Sequence, residues 1–193
     1  MIRNSLIAVI VLLLVSQAGP ALAQELDPPE EGKAKVYVFY FAGTSLARVD
    51  AGIFVDDRYV GNVGSSYYMG FDVEPGEHLV WSHLGGKRSF ARLDAGEGKT
   101  YYIQLEMVAA AFNPVPVPRL WNACPNDKKG SKHYQRISKR LSKQKFTLAD
   151  NPPERLEKGQ KGKAKTIKDT LASWESEWQK SKKWAVIEPE DGD

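Results

Sequence analysis

From Lys33 to about Ala111 the chain runs as short apolar segments broken by turn residues at close intervals, the pattern of an antiparallel all-β domain. Lys35-Val36-Tyr37-Val38-Phe39-Tyr40-Phe41 is β-branched and aromatic and apolar on both faces, which places it at the centre of a sheet. Ile53-Phe54-Val55 and Tyr59-Val60-Gly61-Asn62-Val63 flank Asp56-Asp57-Arg58, a tight hairpin. Tyr67, Met69, Phe71 and Val73 alternate with Tyr68, Gly70, Asp72 and Glu74, the period of a half-buried strand. Glu74-Pro75-Gly76-Glu77 then predicts a type II turn, because proline presets a negative φ and glycine takes the positive φ that follows. Leu79, Trp81 and His83 continue beyond it, Arg88 to Leu93 forms another strand, and Asp94 to Lys99 turns the chain again. Tyr101, Ile103, Leu105 and Met107 alternate with Tyr102, Gln104 and Glu106. Strands joined this way predict a mainly β fold, a small antiparallel β-sandwich with Phe71, Ile103 and Leu105 inside.

After Asn113 the character changes. Asn113-Pro114-Val115-Pro116-Val117-Pro118 favours extended polyproline II geometry and excludes a central strand, so it reads as a stiff connector or a docking ligand. Tyr134, Ile137 and Leu141 stand at helical spacing among Lys128, Lys129, Lys132, Arg136, Lys139, Arg140, Lys143 and Lys145. Such a helix either packs on the sandwich with a solvated charged face or touches an anionic membrane peripherally. Ile167, Leu171, Trp174 and Trp178 form a second stripe, predicting a helix from about Ala164 to Lys182 whose indole face docks. Glu188 to Asp193 reads as a solvated acidic tail. The expected organisation is a signal at 1–23, a mobile leader at 24–32, the sandwich at 33–111, a proline-containing basic extension at 112–163 and a C-terminal helix with acidic tail at 164–193.

The first residues set the expected compartment. Arg3 supplies a positive flank, Leu6 to Val15 is an unbroken apolar run, and Ala21-Leu22-Ala23 is a small-x-small cleavage site before Gln24. The run is too short to span a bilayer, and no cysteine follows it to carry a lipoprotein anchor. The expectation is a periplasmic or secreted chain with no transmembrane span after cleavage. Cleavage leaves roughly 170 residues, enough for one domain with extensions. A net charge of +3 does not call for nucleic acid. Cys124 is the only cysteine, so no intrachain disulfide exists and stability must come from apolar burial.

Candidate chemistry is sparse. His78, His83 and His133 have no metal-ligand spacing around them, so they read as ordinary strand or surface histidines. Gly61-Asn62-Val63-Gly64-Ser65-Ser66 follows a strand rather than opening a helix, which argues against a phosphate loop. Asp56 and Asp57 read as solvated turn formers rather than paired carboxylates. Cys124, in Trp121-Asn122-Ala123-Cys124-Pro125, has no base or cation assigned to activate it. No catalytic, cofactor-binding or metal-ligating residue is assigned from the sequence, and no cofactor is expected.

Lys35 to Phe41, Ile53-Phe54-Val55-Asp56-Asp57-Arg58-Tyr59-Val60-Gly61, Phe71-Asp72-Val73-Glu74-Pro75-Gly76-Glu77-His78 and Ala95-Gly96-Glu97-Gly98-Lys99-Thr100-Tyr101-Tyr102 together resemble the bacterial envelope family called domain of unknown function 2846. The strand ending in Pro-Gly-Glu-His is also similar to PEGA-type surface β-domains. The resemblance covers Lys33 to Met107, with Asp57-Arg58 where Asp-Gly is common. It implies a secreted or envelope-attached β-sandwich and carries over no catalytic residue. The reading is a non-enzymatic module that meets an envelope protein or cell-wall material. The alternative is a hydrolase or other enzyme whose site is assembled from distant residues.

Overall fold

The computed structural model describes residues 26–41, 49–110, 113–178, 180 and 184–193. The expected signal, with Gln24, lies outside them. Strands β1 (Ala34–Phe41), β2 (Ala51–Val55), β3 (Arg58–Val63), β4 (Tyr67–Val73), β5 (Gly76–Leu84), β6 (Lys87–Ala95), β7 (Thr100–Ala110) and β8 (Asn113–Asn122) precede helix α1 (Ser131–Leu141). Two-residue β9 (Thr147–Leu148), helix α2 (Pro153–Ser173), a π-helical turn at Trp174–Trp178, β10 (Ala185–Ile187) and a 3-10 turn at Pro189–Asp191 follow. Two five-stranded sheets form, in the orders β8-β7-β1-β4-β9 and β10-β6-β5-β2-β3. The protein is a β-sandwich with a C-terminal helix, as the strand pattern predicts. Most pairings are antiparallel, but β1 with β7, β4 with β9 and β6 with β10 run parallel, because the chain crosses between sheets before it returns.

Period-2 alternation decides what each strand buries. In β1 the residues Val36, Val38 and Tyr40 enter the sandwich, where they join Phe71, Ile103 and Leu105 of the same sheet and Ile53, Val80 and Leu93 of the other. Phe71 is 9% exposed and Ile103 and Leu105 are fully buried, as expected; Gly76 has the expected positive φ, 124°, but it opens β5 after a bend at Pro75 rather than sitting in a hydrogen-bonded type II turn. The other face of β1 presents Tyr37, Phe39 and Phe41, and these also are buried. Their cover is α1, through Ile137 with half-buried Tyr134 and Leu141, together with Phe146 set edge-on to Phe39 and Phe41 at about 5 Å. The guanidiniums of Arg136 and Arg140 lie 4.5 and 4.7 Å from the Phe41 ring.

The second sheet repeats the arrangement. Phe54, stacked on Trp81 at 3.8 Å, and Tyr59, Leu79 and Phe90 face away from the sandwich and are covered by Ile167 and Trp174, with Leu156 and Leu171 alongside. The predicted indole face therefore docks; the side chain of Trp178 lies outside the described residues. The helix starts at Pro153, eleven residues before the expected Ala164, because Pro152 is extended and Pro153 takes the first helical position. The molecule is thus four layers, helix, sheet, sheet and helix.

Sheet edges are closed by specific groups. The proline tract is not a connector outside the domain but the first half of edge strand β8, so the expected boundary at residue 111 cuts through a sheet. Proline has no N–H, and an edge strand facing away from its ladder needs none. Where a donor returns, at Leu120, its N–H reaches Ser89 Oγ of β6 at 2.8 Å. At the β3 edge, Asn151 accepts from Asn62 N–H at 2.9 Å and donates to Asn62 O at 3.0 Å, and Gln160 does the same for Tyr59 N–H and Asp57 O at 2.6 and 2.8 Å. The expected mobile leader is pinned from Leu26 onward: Asp27 O accepts the Tyr37 hydroxyl at 2.7 Å and Glu30 N–H binds Asp72 at 3.1 Å. The acidic tail is likewise stitched down, since Asp193 and Thr100 exchange two backbone bonds of 3.0 Å.

Two substitutions test the helix docking. Trp174→Ala is expected to cost about 3 kcal/mol, as for a large buried aromatic. Gly159→Ala gives a test of sign. Helix propensity alone would add about 1 kcal/mol of stability, but a methyl group at Gly159 would overlap the buried Tyr59 ring. Thermal unfolding should show both variants melting below the wild type. A Gly159→Ala protein that melts higher would mean that α2 does not press on β3.

Candidate functional site

His78, which the sequence leaves without a partner, is held by two. Its Nδ1 donates to Asp56 Oδ2 at 2.8 Å and its Nε2 to Glu74 O at 2.7 Å, so both ring nitrogens serve as donors and the ring is imidazolium when both bonds form. The hydrogen bond to Asp56 raises the His78 pKa against burial, and the Glu74 carbonyl adds to it. Burial opposes the Asp56 charge, but the bonds from His78 and from Leu79 N–H (2.8 Å) outweigh it and hold the carboxyl below its ordinary value. Asp56 is therefore not merely a solvated turn former. It occupies φ 51° at the β2–β3 turn, and its carbonyl also accepts Trp81 Nε1 at 3.0 Å. Asp57 stays exposed. The pair ties the hairpin to the Pro75-Gly76 corner, where the chain passes from one sheet to the other. With both nitrogens engaged, His78 has none left to accept a proton from a substrate.

The other singled-out residues are structural. Burial pushes the Cys124 thiol up, its Sγ accepts Asn126 N–H at 3.4 Å, and the residue is fully buried. Burial lowers the pKa of His83, with Arg88 and Lys163 adding to the effect. Gly64 accepts Tyr67 N–H at 3.0 Å, and Gly61 stands at φ 135° against Asn151, so the glycine-rich stretch is a corner between sheets. No group of three potential metal ligands occurs among the described residues.

One cleft, of about 670 Å³, opens where β8, the start of α1 and β10 meet. Arg119, Trp121 and Asn122 of β8 form one wall with Asp127, Lys129, Lys132 and His133; Trp184, Val186, Glu188 and Asp191 form the other. The walls are joined by Asn122 Nδ2, which donates to Asp191 Oδ2 at 2.7 Å and reaches Val186 O at 3.4 Å. Gly130 is required at the bend into α1, because a Cβ there would stand 2.9 Å from Cys124 N and 3.2 Å from Asn122 O. The Trp121 indole is stacked with His133 at 5.1 Å and carries the Arg119 guanidinium at 5.1 Å. Burial lowers the His133 pKa, and Lys132 and Arg136 outweigh Glu106 in the same direction, so the ring is neutral near pH 7.

Of the cleft residues the sequence singles out His133, Lys129 and Lys132, Trp121 and Asn122 as neighbours of Cys124, and Glu188 and Asp191 of the acidic tail, each for other reasons. Arg119 and Trp184 escape notice because their neighbourhood is created by β8 and β10, a proline-rich strand and a three-residue strand. The Trp-Ala-Val-Ile run at Trp184 to Ile187, just before the acidic tail, is the one local signal that would have marked β10. No protein-family model matches the chain, and no curated protein matches it.

Two measurements check these assignments. The raised His78 pKa stabilises fully below about pH 6.5, its unfolded value, and that gain is lost as pH rises through the folded pKa; the lowered Asp56 pKa adds stability above about pH 4 that is lost on further acidification. His78→Gln should therefore cost most between about pH 4 and 6.5, no more than about 1 kcal/mol because Asp56 is half exposed, and converge with wild type only once the pH has passed the raised folded pKa of His78. Equal losses at pH 5 and 9 in urea titrations would contradict the ion pair. Iodoacetamide should label Cys124 only as fast as the chain opens; immediate labelling of the native protein would contradict its burial.

Proposed function

We propose that the chain is a secreted or periplasmic, non-enzymatic binding module of the bacterial cell envelope, and that the cleft between β8, α1 and β10 holds cell-wall material. The observation that carries this reading is the convergence, on one cleft of about 670 Å³, of indole, amide and charged side chains from three distant segments. Apolar rings with a few fixed polar groups are what small-ligand and saccharide sites are made of. The walls are set by β-ladders and by the Asn122–Asp191 bond, so the site needs little ordering when it binds. The signal-like start and the resemblance to domain of unknown function 2846 support the envelope address.

Cosedimentation with purified cell-wall sacculi tests the reading. The wild type should pellet with the sacculi. Val186→Trp, which fills the cleft from a position 47% exposed, should stay in the supernatant with an unchanged melting point. Wild type left in the supernatant would overturn the wall-binding reading, and soluble sugar released from the sacculi would put the hydrolase reading in its place.

A further inference from the structure

The acids and the cations of the cleft are in different situations. Asp127 accepts Gly130 N–H at 2.5 Å, Asp191 accepts Glu188 N–H at 2.9 Å as well as Asn122, and Glu188 caps the last 3-10 turn. Each carboxylate is thus part of the frame; Glu188 and Asp191 sit on the β10 side, and Asp127, on the β8–α1 wall, is engaged by Gly130 N–H. Arg119, Lys129 and Lys132 are exposed on the β8 and α1 side and form no ion pair among the described residues. Behind them are hydrogen-bonding groups with nothing to bind. Trp121 Nε1 is buried without a partner, and His133, only 8% exposed and lining the cleft, makes no ring hydrogen bond among the described residues. A buried donor left unmade is costly, and the indole that carries this one lines the cleft.

The charge around this wall points the same way. Residues 128–145 carry eight Lys and Arg and no Asp or Glu, while the whole chain is only +3, so everything else is net acidic. Lys129 and Lys132 of this segment line the cleft, and α1 begins there with no acid in its first turn.

We infer that the β8–α1 wall is an anion subsite. It takes the carboxylate or phosphate of a saccharide, with Arg119, Lys129 and Lys132 supplying charge and Trp121 Nε1 and His133 supplying hydrogen bonds. This rests on reading the cleft as the binding site, and it adds that the ligand is an acidic sugar whose charged group faces β8 rather than β10. Arg119 gives the fork that matches an oxyanion, and the two lysines act as point charges.

Indole N–H signals in two-dimensional NMR of the whole chain provide the test, assigned with Trp121→Phe and Trp184→Phe. Three probes are titrated: cellobiose, cellobiouronic acid, which differs in one carboxylate, and glucose 1-phosphate. Both anionic probes should shift the Trp121 signal with a midpoint about tenfold below that of cellobiose, and the difference should shrink as salt rises from about 20 to about 300 mM. Shifts by only one anionic probe would identify carboxylate or phosphate as the source. Lys129→Gln with Lys132→Gln should abolish most of the preference at an unchanged melting point, and Arg119→Lys should retain more of it than Arg119→Gln. Equal midpoints for cellobiose and cellobiouronic acid would overturn the anion subsite and leave the cleft reading standing. No shift of either Trp121 or Trp184 by any probe would overturn both.

Discussion

The central strands of both sheets are apolar on both faces, and that constraint decides the rest of the architecture. A two-sheet sandwich covers only the inward face of each strand. Tyr37, Phe39 and Phe41 on one outer face and Phe54, Trp81 and Phe90 on the other would then stand in water, each forgoing on the order of 1.5–3 kcal/mol. The helices α1 and α2 are the answer to that exposure, one for each outer face. Neither has a broad apolar stripe of its own. Each contributes a few residues, Ile137 with Tyr134 and Leu141 or Ile167 with Trp174 and Leu171, and the sheet supplies the aromatic mass.

Covering the faces also settles the edges. The segment that delivers α2 carries Asn151 past β3, and α2 itself carries Gln160, so the same helix that hides Phe54 also satisfies the hairpin's free backbone groups. At the opposite side, prolines 114, 116 and 118 remove donors from β8 where no ladder follows, and Ser89 receives the Leu120 donor where the two sheets meet. The cleft arises at this corner. Once β8 carries the chain to the seam between sheets, α1 must start beside it, and β10 closes the gap by pairing parallel to β6.

The sandwich was legible because its signals are local: alternation in β4 and β7, the Asp56-Asp57 turn and the Pro75-Gly76 corner each lie within a few residues. What was missed depends on distance or on weak signals. Alternating prolines look like polyproline II until a partner strand stands on one side of them. The first half of α2 holds Gly159, Gly162 and many lysines, so its only apolar marker before Ile167 with a packing role is Leu156. Strands β9 and β10 are too short to show a period. His78 and Asp56 are 22 residues apart and meet only because a hairpin and a corner face each other. The candidate site was least legible of all, since its walls belong to β8, the α1 entry and β10.

The central claim is that the outer helices belong to the same cooperative unit as the sheets, not to an extension that frays alone. Native-state amide hydrogen exchange of α2 addresses it most directly, because a solitary helix with Gly159 and Gly162 in its interior is marginal in water and opens almost freely. The account predicts that amides near Ile167 and Thr170 open with a free energy close to that of the core strands β1 and β5. Exchange of those amides orders of magnitude faster than the β1 and β5 amides, at a free energy near zero, would contradict it.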